Sequence, residues 1–402
     1  MRIFRYHNLE EIKKNLHEIG VDPYGAKIML PKANTFLIRL TSVSNIAANI
    51  LKQEMLSLKA EAAIARGALT GKIKKTDILL IGQLTQFNAL INKLKIQPFG
   101  LDRLAKELEE NINNFIKDDF VLPLKNCSLA LSKQTQIMGI INLTPDSFSG
   151  DGLYREFSND YLDLALKKAQ ALVTEGANII DLGGESSRPG AKNITVKEEL
   201  RRTIPIVRLL AKKIKVPISI DTAKPQVAKA ALDAGAQIIN DICGLTDPRM
   251  IKMASRYKAA VIIMHMLGNP RNMQKIITYR SLIEEIIIYL KRSIDFAQSA
   301  GIKPDKIIID PGLGFGKTPE HNLRIIKQLA DFKVLGKPIL IGSSRKSFIA
   351  KILGSGLQNQ SSGTLATCLI AAERGAHILR VHDVKVTSQF LKIAGAIKNA
   401  RA

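Results

Sequence analysis

From about residue 133 onward, short apolar runs alternate in strict succession with amphipathic stretches. The runs cover residues 137–144, 177–184, 217–222, 238–242, 259–265, 306–312, 338–344 and 377–383. Each is rich in β-branched residues and is followed by a loop and a helix-period pattern. Continuously apolar runs, as opposed to alternating ones, suit parallel strands buried on both faces. Eight in a row with intervening helices predict an α/β fold, a closed (β/α)8 TIM barrel. The alternative that the pattern leaves open is a doubly wound open sheet. Residues 1–132 lack that period. Stretches 9–19, 44–68, 83–96 and 101–116 read as helices, and 26–41 and 78–81 read as strands. The expected organisation is a smaller N-terminal α+β domain of unknown function at 1–132 and a barrel at 133–402. Residues 118–133, with Pro123 and mixed polarity, read as the linker. No catalytic constellation stands out in the first domain, so docking or dimerisation is its expected role.

Composition narrows the class. The chain has 402 residues, and a barrel needs roughly 250 of them, which leaves room for one additional small domain. Apolar residues make up 46%, enough for a sizeable core. No apolar run approaches the roughly 20 residues of a membrane helix. The start, MRIFRYHNLEEIKKNL, lacks a signal-peptide apolar stretch. Cys127, Cys243 and Cys368 lie far apart with no CxxC, so neither a disulfide framework nor a zinc site is implied. These features predict a cytoplasmic protein that does not engage membranes. The net charge of +23 is spread over both regions, and Trp is absent. Nucleic-acid binding would favour a clustered basic stripe with interleaved aromatics, so small anionic substrates are the expected partners.

Barrel enzymes place their chemistry at the C-terminal ends of strands. Those ends read Asn142-Leu-Thr-Pro-Asp-Ser-Phe148, Gly183-Gly-Glu-Ser-Ser-Arg-Pro-Gly190, Ser219-Ile-Asp-Thr222, Asn240-Asp-Ile242, Met264-His-Met266, Asp310-Pro-Gly312, Gly342-Ser-Ser-Arg-Lys-Ser347 and Arg380-Val-His-Asp383. Asp221, Asn240 and Asp310 end apolar strands, where a charge is costly unless paired. A flat heterocycle with a guanidine-like edge would pair with them through parallel hydrogen bonds; helix capping is the structural alternative. Arg380 and His382 are two apart on one strand and so point to one side. With Arg188 and Lys346 in loops, and a helix opening after Gly342, they suggest phosphate, although Arg380 could also be an ordinary structural ion pair. Two patterns are decoys. In 312–318 the first glycine of a P-loop falls on Pro311, and Lys317 breaks GxGxxG. His265 has no second ligand at metal spacing.

Taken in order, Asn142–Phe148, Gly183–Gly190, Ser219–Thr222, Asp310–Lys317, Ser344–Ser347 and Arg380–Asp383 resemble the dihydropteroate synthases, over about residues 135–397. The resemblance implies condensation of 6-hydroxymethyl-7,8-dihydropterin pyrophosphate with p-aminobenzoate, with Mg2+ as cofactor. It implies a pterin pocket of Asp221, Asn240, Ile242, Met264, Asp310, Gly342 and Lys346. Asn142, Arg188, Arg380 and His382 would hold the pyrophosphate, with Asn142 near the metal. Ser187, Arg188, Pro189, Phe315 and Ser347 would form the p-aminobenzoate side, where sulfonamides compete. Lys346, Arg380, His382 and Arg188 would be the catalytic residues, and a homodimer is expected. The chain departs from the family in reading Ser186-Ser187-Arg188 where Ser-Thr-Arg is commoner, and in carrying the N-terminal domain. Two other readings compete: a pterin-binding corrinoid methyltransferase and a non-catalytic pterin-binding paralogue.

Overall fold

The computed structural model describes residues 9–131, 134–144, 161–186, 193–269, 273, 277–354 and 360–400. The chain divides into two compact units, one up to Asn113 and one from Asn114.

The first unit has helices α1 (Leu9–Glu18), α2 (Pro23–Met29), α3 (Asn45–Ser57), α4 (Arg66–Leu69), α5 (Leu84–Leu94) and α6 (Leu101–Ile116). Its strands β1 (Thr35–Ser44), β2 (Glu61–Ile64) and β3 (Lys75–Gln83) form an antiparallel sheet in the order β1-β3-β2. Apolar stripes on the helices fill one core, with Ala48, Leu51 and Met55 from α3 against Leu80, Phe87 and Leu90. Two expectations fail here. Residues 26–32 are helical because Asp22 accepts from the Tyr24 and Gly25 amides and Pro23 opens α2. The 44–68 helix stops at Ser57, Lys59 takes φ +56°, and Glu61–Ile64 pairs with β3. Alanine-rich Glu-Ala-Ala-Ile carries helix propensity, and a free edge of β3 overrides it.

The second unit opens with β4 (Val121–Pro123) and β5 (Ser128–Ala130), an antiparallel hairpin where a linker was expected. The barrel strands are β6 (Gln136–Asn142), β7 (Ile179–Gly183), β8 (Ile218–Asp221), β9 (Ile238–Asp241), β10 (Ala260–Met264), β11 (Ile307–Asp310), β12 (Leu340–Ile341) and β13 (Ile378–Val381). All eight run parallel, in the order β11-β10-β9-β8-β7-β6-β13-β12, and a parallel bridge between Ile309 and Ile339 closes the ring. The closed barrel therefore replaces the open-sheet alternative. Helices α7 (Tyr161–Glu175), α8 (Val196–Lys213), α9 (Pro225–Ala234), α10 (Pro248–Tyr257), α11 (Leu282–Ser299), α12 (Pro319–Lys327), α13 (Ser347–Leu353), α14 (Ser361–Glu373) and α15 (Val384–Asn399) surround it.

The two faces of each strand feed different cores. Residues such as Ile180, Leu182, Ile220, Ile239 and Ile263 pack outward against the helices. Met138, Ile179, Ile238, Ile262, Ile308, Leu340 and Ile378 pack inward, where Phe120, Leu122 and Leu131 of the hairpin segment join them. The hairpin thus seals the N-terminal end of the barrel with apolar side chains. The polar strand ends gather at the opposite end.

Candidate active site at the C-terminal end of the barrel

Arg380 of β13 lies at the centre of this end. Its Nε donates to Asp181 Oδ2 and its Nη2 to Asp221 Oδ2, both at 2.6 Å. Asn240 donates from Nδ2 to the same Asp181 oxygen at 3.3 Å. Asp181 has no exposed side-chain surface, and Asp221 and Arg380 retain 12% and 20%. Burial works against the Arg380 charge, but Asp181 and Asp221 together hold its pKa above the ordinary value. Burial pushes Asp221 up to about 7, against the pull of Arg380 and with added repulsion from Asp181. One guanidinium between two buried carboxylates leaves an excess negative charge unless a proton joins them.

Asp310 ends β11 on the same rim. Its Oδ1 accepts from the Gly312 amide at 2.7 Å, and burial raises its pKa. Gly312 takes φ +72°, and a Cβ there would lie 2.0 Å from the His265 carbonyl oxygen, so only glycine permits this turn. The turn brings Phe315 under Lys346, whose Nζ stands 4.4 Å from the ring centroid. Behind it, the buried Lys317 Nζ donates to His265 Nδ1 at 2.9 Å and to the Phe315 carbonyl at 3.0 Å. Burial lowers Lys317 to about 7 and, with the Lys317 charge, lowers His265 to about 2. His265 is therefore a neutral acceptor holding a loop. Met264, Met266, Met273 and Phe315 form an apolar wall, with Ile242 and Cys243 against it.

A cavity of about 70 Å3 opens beside the centre, lined by Ile140, Ile141, Asn142, Lys168, Arg345, His382 and Asp383. Ser344 Oγ and His382 Nδ1 are 3.0 Å apart, and Arg345 Nη2 donates to Asp383 at 3.1 Å. This mix of amide, imidazole and two cations suits a small anion. A wider surface cleft of about 390 Å3, between α10 and α11, holds none of these groups.

The structure thus brings Asp221, Asn240, Ile242, Met264, Asp310, Phe315, Gly342, Lys346 and Arg380 to one end, with Asn142 and His382 in the adjoining cavity. Arg380 and His382 separate: His382 lines the cavity, whereas Arg380 turns to its carboxylates. Ser347 is exposed at the start of α13. Ser187, Arg188 and Pro189 lie outside the described residues. Sequence reasoning missed Asp181, although a carboxylate interrupting the run Ile179-Ile180-Asp181-Leu182 was a signal. It also missed Lys168 and Arg345, and it set Lys317 and His265 aside as parts of failed motifs. Their link joins two loops 52 residues apart and has no local signature.

Comparisons with known proteins agree with this geometry. The family described as pterin binding enzyme matches residues 138–382. A dihydropteroate synthase of Synechocystis is 46% identical over 278 residues, covering 69% of this chain and 94% of that protein. A Halobacterium salinarum protein described as a probable bifunctional folylpolyglutamate synthase/dihydropteroate synthase is 33% identical over 392 residues. That match covers 97% of this chain and 46% of that protein. The crystal structure of the Yersinia pestis dihydropteroate synthase with a sulfonamide drug superposes with a TM-score of 0.67 at 40% identity, covering 70% of this chain and all of that one. With an eight-stranded barrel, polar groups at its C-terminal end and this identity over nearly the whole length of the Synechocystis enzyme, the chain belongs to the dihydropteroate synthase family of pterin-binding enzymes.

Proposed function

We propose that the barrel is a transferase that joins 6-hydroxymethyl-7,8-dihydropterin pyrophosphate to p-aminobenzoate, giving 7,8-dihydropteroate and pyrophosphate in folate biosynthesis. The carrying observation is the set of buried acceptors around Arg380. Among the described residues, Asp310 Oδ2, Asp221 Oδ1 and Asn240 Oδ1 have no protein partner, while the other atom of each group is fixed. A pterin's amino and ring N–H edge supplies the missing donors. Lys346, held over Phe315, supplies a compact cation and an aliphatic stem for the pterin ring in this reading. Ser187, Arg188, Pro189 and Ser347 complete the p-aminobenzoate side in this reading.

The leaving group occupies the cavity of Asn142 and His382, with Lys168 and Arg345 at its wall. Arg380 has Nη1 left for a phosphate oxygen once Nε and Nη2 are engaged. These donors stabilise charge developing on the departing oxygen. The aniline nitrogen attacks the pterin methylene from the opposite side, and holding the two in line supplies much of the rate. A neutral aniline needs no strong base, and the lowered His265 serves none. The Asn142 amide in the cavity fits Mg2+ carried by the substrate. A Mg2+ held mainly by phosphate oxygens and water needs few protein ligands, and the Asn142 amide oxygen would be one. When bound, it would neutralise pyrophosphate charge.

Exposed Ile370 on α14 and Val386, Ile393 and Ile397 on α15 support a homodimer through these helices. No described helix is long and apolar enough to cross a membrane. For residues 1–132 the reading remains docking or dimerisation, supported by β1 at a sheet edge with Leu37 exposed.

The deciding experiment measures pyrophosphate release by the full-length protein with Mg2+. Release that requires both pterin pyrophosphate and p-aminobenzoate is expected. Pterin binding without release would favour the non-catalytic paralogue, and methyl transfer to a corrinoid would favour the methyltransferase.

A further inference from the structure

We propose that Lys317 is a positioning residue for the p-aminobenzoate side of the site: its buried side chain latches the loop after β11 to the end of β10 and so fixes the Phe315 ring beneath Lys346. The inference rests on the synthase reading above, which assigns Phe315 to p-aminobenzoate.

The latch joins two loops. Lys317 Nζ donates to His265 Nδ1 at 2.9 Å and to the Phe315 carbonyl at 3.0 Å, and the His265 carbonyl lies 3.5 Å away. An ammonium has three N–H donors, and these three neutral acceptors take them. Burying such a group is costly unless its donors are satisfied. An apolar side chain of similar length would fill the space but leave His265 Nδ1 and the Phe315 carbonyl without this donor. The bonds are therefore what the residue contributes, and even a neutral amine keeps two N–H groups for them.

Both ends of the latch are held from outside. The His265 amide donates to the Asp310 carbonyl at 2.9 Å, and its ring packs edge-on against Tyr289 with centroids 4.8 Å apart. On the loop, the Gly314 amide donates to Asn322 Oδ1 at 2.8 Å and the Tyr279 hydroxyl donates to the Gly316 carbonyl at 3.0 Å. A Cβ on Gly316 would stand 2.6 Å from the Leu267 side chain, so the loop lies directly on the residues that follow β10. Phe315 thus has a bonded neighbour on each side, and its own carbonyl is tied by Lys317.

The consequence falls on the Phe315 ring. Lys346 Nζ stands 4.4 Å from its centroid, and a Cβ on Gly314 would meet Lys346 Cδ at 3.3 Å, so the Lys346 stem runs along this loop. The pterin acceptors are anchored elsewhere. Asp221 and Asn240 belong to β8 and β9, and Asp310 is bonded to Gly312 at the start of the turn. Ordering a loop on binding costs affinity, and fixing it beforehand reduces that cost. Loss of the latch should therefore weaken the acceptor and largely spare the pterin.

The test uses four variants of the full chain. Lys317→Met removes the donors, and His265→Leu removes the side-chain acceptor. His265→Asn offers an acceptor near the Nδ1 position, and the fourth variant combines Lys317→Met with His265→Leu. In Lys317→Met and His265→Leu the KM for p-aminobenzoate should rise on the order of tenfold. The kcat and the calorimetric affinity for 6-hydroxymethylpterin should stay within about threefold. His265→Asn should recover most of the KM, and the double variant should be no worse than either single one, because both act through one bond. Hydrogen exchange, which needs neither ligand nor turnover, should run faster across 312–318 in Lys317→Met than in the parent. If the parent releases no pyrophosphate, the synthase reading fails while exchange still decides whether the latch holds the loop. An unchanged KM in Lys317→Met, an equal loss of pterin affinity, additive effects in the double variant, or parent-like exchange across 312–318 overturns the proposal.

Discussion

Replacing Arg380 by Met removes one guanidinium and leaves two carboxylates on the neighbouring strands β7 and β8 without their shared cation. Both lost hydrogen bonds are 2.6 Å long, and Asp181 has no exposed side-chain surface. Breaking one side of a buried ion pair typically costs about 3–5 kcal/mol. Asp221 is already raised to about 7 by burial with Arg380 beside it, so losing that cation raises it further. The stranded negative charge is relieved by protonation as the pH falls below that value. Urea denaturation of the barrel should therefore show a deficit of about 3–5 kcal/mol at pH 7.5 that shrinks at pH 5.5. The midpoint of thermal unfolding should fall by about 6–10 °C at pH 7.5. Adding Asp181→Asn should restore most of the loss, since the penalty lies in the stranded charge and not in lost volume. A deficit under about 1 kcal/mol, or one that does not shrink with acid, would refute the reasoning.

Lys317 tests the opposite sign. Its folded pKa, about 7, lies below the unfolded one, so the unfolded chain binds more protons between those values. Barrel stability should therefore rise with pH above 7, at up to about 1.4 kcal/mol per unit. Lys317→Met should lack that slope in urea melts at pH 7, 8 and 9; an unchanged slope would assign it to other groups. Gly312→Ala should destabilise the barrel by more than about 3 kcal/mol, because the added Cβ meets the His265 carbonyl at 2.0 Å. Gly342→Ala, with its nearest neighbour at 3.9 Å, should melt within about 1 °C of the parent, and equal effects at the two positions would contradict the geometry.

Legibility in the sequence followed physical locality. The barrel strands were visible because burial on both faces makes each a continuous apolar run. Asp221, Asn240 and Asp310 were visible because each breaks such a run at its end. Asp181 breaks its run in mid-strand, two positions before the motif that begins at Gly183. Its partner Arg380 is 199 residues away, and nothing local shows that the two meet. The hairpin at Val121–Pro123 and Ser128–Ala130 failed for a related reason. Leu122 and Leu131 sit in apolar stretches too short to read as barrel strands, and they become core only by plugging the barrel. In the first unit, Glu61–Ile64 is a strand only because β3 offers it an edge.

By itself, then, the sequence determined the eight-fold alternation, the family, and the residue types along the rim, since hydrophobic period and strand-end chemistry are local properties. Tertiary structure alone decided the pairings. It bound Arg380 to Asp181 and Asp221, buried Lys317 against His265, and placed Glu185 between Ile194 and Lys224. Such pairings are set by closure of the ring, which brings together strand ends far apart in the chain. The energy of a charged group depends on what closure places beside it and on how much water it excludes.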